Sequence, residues 1–361
     1  MKINIKNIRV KSICATLFIS LLLSCNNSGE NAEAENRLTE VLMDVGRSTE
    51  NAFYSFMSLV SDTLGFRVTK DTTKKEDVGK YFSDLGKKLG ETAAELEKVA
   101  KKSEVEGATD GPMALAIRSA VDTAKEVLGT LKGHLDSLGT VGDSKPVGDV
   151  ETSAKKGVST DDSALKNVYN ALKGIVEIAK TQQVKDLISS NVTLKKTSIG
   201  VDAKDGAKIL GTDQAPGTEV GSKAALIVSA VSGEEMLESI VVSKESDATT
   251  GVASNADDGT SALAFAKGGQ RDRVGGGSGD AKAAAVAGGI ALRSLVKAGT
   301  LASNGSDDEK AAQAVGVAAA NKLLVAVKDI IKNTVKNVLG TAKQKIDDAR
   351  KAKPDDNQSI K

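Results

Sequence analysis

The chain has 361 residues with 49 basic and 48 acidic side chains, one histidine and two cysteines. A charge so near balance argues against a nucleic-acid binder, which needs a basic face to displace counterions from phosphates. A single histidine rules out histidine-based metal clusters and multi-histidine relays, and the length allows two domains or one elongated one.

The N-terminus carries Lys2, Lys6, Arg9 and Lys11 with no acid, then an apolar or small run from Ile13 to Leu23 that is too short to span a bilayer. The run closes on Leu22-Leu23-Ser24-Cys25. A small residue before a cysteine marks a bacterial lipoprotein signal, in which the thiolate takes a diacylglyceryl group and the new N-terminus is acylated. Leu23 is bulkier than the strict pattern prefers, so the motif fits a relaxed lipobox, with an uncleaved anchor as the alternative. The expected parts are a signal peptide at 1–24, a polar tether at 25–37 and a helical ectodomain at 38–361. Cleavage removes four of the 49 basic residues and leaves 45 against 48 acidic, a net charge of −3. It also removes Cys14, so Cys25 carries the lipid and the mature chain has no disulfide.

From Leu38 the apolar positions Val41, Leu42, Val45, Phe53, Phe56, Leu59, Val60 and Leu64 follow a helical stripe that ends near Gly65. Phe53, Tyr54, Phe56, Phe66, Tyr81 and Phe82 are six of the eight mature aromatics, which places the densest core there. Thr73 and Glu76 have the spacing of a capping box. Val78, Phe82, Leu85, Leu89, Thr92, Leu96 and Val99 then form a coiled-coil-like seam directed at the first helix. Asp110-Gly111-Pro112 starts a third helix bearing Met113, Ile117, Ala120, Val121, Ala124, Leu128, Leu131 and Leu138.

Residues Gly139 to Asp162 are rich in Gly, Ser, Asp and Lys and read as a long exposed loop. Asp161 or Asp162 caps a fourth helix with Leu165, Val168, Tyr169, Leu172, Ile175, Val176 and Ala179. Periodicity fades from Val192 to Gly221, which leaves loops with a short strand or helical turn. It returns from Lys223 to Val242 with a break at Gly233, and Ser243 to Lys282 is loose again. Ala283 to Val296 is a compact Ala/Gly/Leu helix. A polar turn at Ser303 to Asp308 leads into the longest helix, Glu309 to about Lys351, which Pro354 stops. The fold expected is all-α: an elongated helical bundle of N- and C-terminal helices with a loop-rich, membrane-distal region and at most a few very short strands. No later apolar run is long enough to span a membrane, so lipid is the expected anchor.

The candidate chemical groups each read as structural. His134 beside Asp136 is a solvated helical histidine. Glu234, Glu235 and Glu238 lack the Glu-x-x-His partners of a di-iron site and form a charged solvent face. Gly275-Gly276-Gly277-Ser278-Gly279 lacks the Gly-Lys-Ser/Thr ending of a phosphate loop and reads as a flexible surface loop. Lys328, Lys332 and Lys336 form a strip on the last helix that could meet acidic lipid or glycosaminoglycan but reads as a solvated face. No catalytic group, metal or cofactor is expected.

The stretches Ala284–Gly299 and Ala314–Lys332 closely resemble the variable large proteins of relapsing-fever Borrelia, variable major lipoproteins related to the Vls antigen of Lyme spirochaetes. Supporting blocks are Val231-Ser232-Gly233-Glu234-Glu235-Met236-Leu237, Phe265-Ala266-Lys267-Gly268-Gly269 and Ala52-Phe53-Tyr54-Ser55-Phe56. The resemblance implies a non-enzymatic outer-membrane surface lipoprotein, exchanged among silent and expressed copies so that host antibodies lose their target. It also implies that Ala284–Gly299 is a buried, unvarying helix. Variation would then concentrate in 139–162, 200–221 and 243–282, where loop substitutions cost little stability. The partners this implies are the outer membrane through lipid at Cys25 and host antibodies. An adhesin, or a binder of host matrix or complement proteins, is the alternative.

Overall fold

The structure, a computed structural model, describes residues 46, 47, 50, 51, 54, 66–70, 72–104, 111–277 and 279–351. The signal, Cys25, the tether, most of the expected first helix, Asp110 and the polar tail lie outside these residues. The described residues are mostly helical, and their only β pairing is a set of isolated bridges.

Helix α1, Lys75–Ser103, buries Val78, Phe82, Leu85, Leu89, Thr92, Leu96 and Val99, the full seam expected from its spacing. Its cap differs from expectation by one residue. Lys74 N–H donates to Asp77 Oδ2 at 2.8 Å, whereas Glu76 pairs with the Lys74 ammonium at 3.2 Å and Thr73 Oγ1 accepts from Thr69 N–H at 3.0 Å. Two residues of threonine-rich turn thus precede the helix, and the capping carboxylate is Asp77. Helix α2, Pro112–Leu138, starts on its proline behind Gly111 and buries Ile117, Val121, Leu128, Leu131 and Leu135. It packs along α1, and Glu97 of α1 ties the pair by accepting from Arg118 and Lys125 of α2.

Helix α3, Asp162–Thr181, is capped by Asp161, whose Oδ1 accepts from Ala164 N–H at 2.8 Å. A single helical turn α4, Lys196–Ile199, and a 3-10 helix η1, Lys204–Leu210, follow. Helices α5, Val220–Ser229, and α6, Gly233–Val241, are separated as expected; Ser232 caps α6 through a reciprocal box with Glu235. Gly233 opens α6 because it rests on the Lys322 carbonyl of the last helix, leaving no room for a Cβ.

The region from Ser243 to Lys282 is not loose. It contains α7, Asp247–Thr250, α8, Ala262–Lys267, and α9, Arg271–Gly275, and α8 is buried from Ala262 through Ala266. Helix α10, Ala283–Leu295, is enclosed by α5, α6, α8 and the long α11, Ser306–Lys351. Every residue from Ala283 to Ser294 is buried. A helix apolar on all sides is stable only when surrounded, and small residues permit that enclosure. At Gly289 a Cβ would come within 2.5 Å of Phe265 Cβ.

Phe265, 0% exposed, packs against α10; of the N-terminal aromatics Tyr81 and Phe82 are buried as well, and Phe53 and Phe56 lie outside the described residues. Of the described members of that group, Phe66 stacks on Tyr81 with ring centroids 4.5 Å apart, while Tyr54 is exposed. Residues 66–68 dock on α11. Val68 exchanges two 2.9 Å hydrogen bonds with the Asn321 side chain, and the Lys328 ammonium donates to Phe66 O at 3.0 Å.

Candidate functional surface

The turn from Val296 to Ser303 leaves α10 and gathers the irregular segments around it. Asp161 N–H donates to Lys297 O, Leu301 N–H to Asp149 O, Ala302 N–H to Ile209 O, and Lys155 and Ser303 exchange both backbone bonds. Gly157 lies against Thr300 O and Ala302 N so closely that a side chain there would displace the backbone. The stretch 139–162 is thus sewn to the core, contrary to the exposed loop expected. Residues 141, 147, 148, 157 and 160 are buried, and only short runs such as Thr152–Lys156 face solvent. Its low hydrophobicity conceals this because the stitches are backbone hydrogen bonds and glycine contacts, which leave no apolar periodicity.

Two buried cations hold the same turn. Arg293 of α10 is 0% exposed; its Nε donates to Ala266 O at 2.6 Å and its Nη1 to Val158 O at 2.9 Å and Thr300 O at 3.3 Å. Lys75, 1% exposed, donates to Val296 O at 2.9 Å and Gly299 O at 2.5 Å. Burial pushes the Arg293 guanidinium down to about 9 and the Lys75 ammonium down to about 8, the latter opposed by Asp143 and Asp149. Both groups remain cationic at neutral pH. Each therefore ties backbone carbonyls from different segments with charge-assisted bonds, which are stronger than neutral ones. Arg293 Nη2 and Thr160 Oγ1 are buried without a hydrogen-bond partner among the described residues. Neither cation was picked out from the sequence; the signal available was one arginine inside a stretch otherwise built of Ala, Gly, Val, Ile, Leu and Ser.

The same alternation recurs in the other two irregular segments. Exposed runs at 200–202, 213–214, 217–219, 244–246, 253–255 and 257–259 are separated by buried Ala203, Ile209, Leu210, Val220, Ala248, Val252 and Ala256. The surface is a series of short exposed stretches between fixed points on a rigid interior.

The residues considered for chemistry are dispersed into structural roles. His134 is half-buried over Gly174 of α3, where its ring occupies the space of a side chain, and burial lowers its pKa against the pull of Glu177. It packs on α3 while remaining part-exposed, so the solvated helical histidine expected is one that also fills the space above Gly174. Glu235 caps α6, and Glu238 Oε1 accepts from Ser189 Oγ at 2.8 Å. The glycine run is partly buried, at Gly275 and Gly279, and Gly276 N–H closes α9 by donating to Arg273 O at 3.0 Å. Gly277 is exposed, and Ser278 lies outside the described residues. Lys328 is held on Phe66 O and its pKa is lowered by burial, so the lysine strip is not one uniform solvated face. Among the described residues no group of three or more His, Cys, Asp or Glu side chains could hold a metal ion, and no helix is long and apolar enough to cross a membrane.

The described residues form an all-α protein with a central helix sheathed by its neighbours and short exposed stretches stitched to it. The chain belongs to the Borrelia lipoprotein family, whose model matches residues 49–346. It is 57% identical to variable large protein 18 of Borrelia hermsii over 97% of this chain and 96% of that one. To variable large protein 25 of the same organism it is 54% identical, over 97% of each. A crystal structure of the Lyme disease variable surface antigen VlsE of Borrelia burgdorferi superposes with a TM-score of 0.65 at 25% identity, covering 85% of this chain and 98% of that one.

Proposed function

We propose that this protein is a non-enzymatic outer-membrane surface antigen whose exposed stretches change between expressed copies, so that host antibodies lose their target. The observation that carries the reading is the alternation of short exposed runs with buried anchors around the sheathed α10. Such runs can change side chains without disturbing the interior, since surface substitutions away from special features stay within about 0.5 kcal/mol. The similarity to variable large proteins and to a variable surface antigen supports it.

In this reading residues 1–24 are a signal peptide, Cys25 carries the lipid, 25–37 tether it, and 38–361 form the displayed ectodomain. Binding to host matrix or complement proteins would use the same exposed runs and is tested by surface plasmon resonance against each. Protease treatment of intact cells tests display: the protein should be cleaved while periplasmic proteins survive. Cys25→Ala should abolish lipid labelling and surface cleavage together. Full protection of the wild-type chain on intact cells, or unchanged membrane partition of the variant, would contradict the assignment.

A further inference from the structure

The chain contains one asparagine followed by glycine, Asn304-Gly305. The pair joins the buried Ser303, at the end of the stitched turn, to the first residue of α11, and both members are half-buried. Gly305 has φ +124°, and a Cβ built there would meet nothing within 4 Å. Its carbonyl accepts from Glu309 N–H at 2.8 Å, and Asn304 N–H donates to Asp308 Oδ2 at 2.8 Å. Among the described residues, neither the Asn304 side-chain amide nor the Gly305 N–H has a hydrogen-bond partner. The nucleophile and the group it would attack are thus both uncommitted, and glycine offers no side chain to shield the nitrogen.

We propose that Asn304-Gly305 is a site of spontaneous deamidation in the folded protein. The Gly305 nitrogen gives up its proton to water and attacks Asn304 Cγ. A carbon–nitrogen bond forms, the side-chain carbon–nitrogen bond breaks, and the amide nitrogen takes that proton back from water and leaves as ammonia, closing a succinimide. Water then adds across one of the two ring carbonyls, its hydroxyl to carbon and its proton to the departing nitrogen. The product is aspartate or isoaspartate at position 304, with no oxidant or enzyme required.

Either product places a new carboxylate beside Asp307, Asp308 and Glu309 in the first turn of α11, where the helix dipole tolerates negative charge. Isoaspartate also adds a methylene to the backbone and carries the position-304 N–H away from Asp308. Asp308 Oδ1 accepts from Gly221 N–H at 2.9 Å, so the change reaches the start of α5. The stitched turn at 296–303 lies upstream and keeps its bonds. Surface charge and local structure at this helix start therefore become heterogeneous without any change in the gene.

The test is incubation of the full chain in mildly alkaline buffer, followed by peptide mapping and labelling with an isoaspartate methyltransferase. A synthetic peptide spanning residues 301–309 is the unfolded reference. Amide loss should concentrate at Asn304 at a rate comparable to the peptide's, with isoaspartate the major product. It should vanish in Asn304→Gln, whose unchanged melting midpoint reports intact folding. An amide that survives at Asn304 in the folded chain while the peptide converts would overturn the proposal. Faster loss at another asparagine, such as Asn191 or Asn255, would do the same.

Discussion

Arg293 and Lys75 are among the largest fully buried side chains of the described residues, and both bind the turn that follows α10 through backbone carbonyls. Truncating Arg293 to alanine removes a filled volume and leaves carbonyl groups buried without their donor. Each of these belongs to the mechanisms that produce the largest mutational losses, and together they should cost about 3–5 kcal/mol in urea unfolding of the chain. Lys75 adds a pH signature. Its folded pKa of about 8 lies below the ordinary 10.5, so the unfolded chain binds more protons between those values. Stability should therefore rise with pH above about 8. Tyr81 acts in the opposite sense higher up, because burial raises its phenol to about 12 and the unfolded chain ionises first above 10. Arg293, pushed down to about 9, adds in the same sense as Lys75 above that pH, so the Lys75 contribution is cleanest between about 8 and 9. Urea midpoints across that window should rise in the parent relative to Lys75→Met. Parallel curves would show that the ammonium is not buried as described.

Glycine contacts set the limits at the level of whole helices. In α10, Gly289→Ala must push Phe265 and the Ala266 backbone aside and should destabilise by about 1–3 kcal/mol. In α2, Gly129 faces open space, and Gly129→Ala should stabilise by about 0.5–1 kcal/mol through helix propensity. Thermal or urea unfolding of the two variants should move in opposite directions. The long helices were legible in the sequence because their stripes repeat over many turns: the seam of α1, the proline start of α2, the Asp161 cap of α3 and the sheathing of α10 all stand where the residues indicated. The short helices α7, α8 and α9 were not legible, since four to six residues do not complete enough turns to show a period. Their anchors are single small residues such as Ala248 and Val252, whose burial depends on partners far along the chain. The two buried cations were missed for a related reason. Lys75 sits beside Glu76 and Asp77 in what reads as a charged first turn, and only the fold brings Val296 and Gly299 to its ammonium.

At the scale of the whole molecule, positions that can change interleave with positions that cannot. Composition alone divides the chain into helices and loops and would free all of 139–162, 200–221 and 243–282 to vary. The structure divides those segments again, residue by residue, into exposed runs and buried stitches. Surface display and variation then make different demands of neighbouring residues: Ser153 and Ala154 face solvent, whereas Gly157 and Thr160 are buried. The most direct measurement is the sequence of successive expressed copies recovered during infection, with each substitution mapped onto the fold. Changes should gather in exposed runs such as 152–156, 200–202, 253–255 and 257–259, while Gly157, Phe265, Gly289, Arg293 and the rest of α10 stay fixed. Substitutions spread equally over exposed and buried positions of these segments, or concentrated in α10, would contradict a variable surface held on a fixed interior.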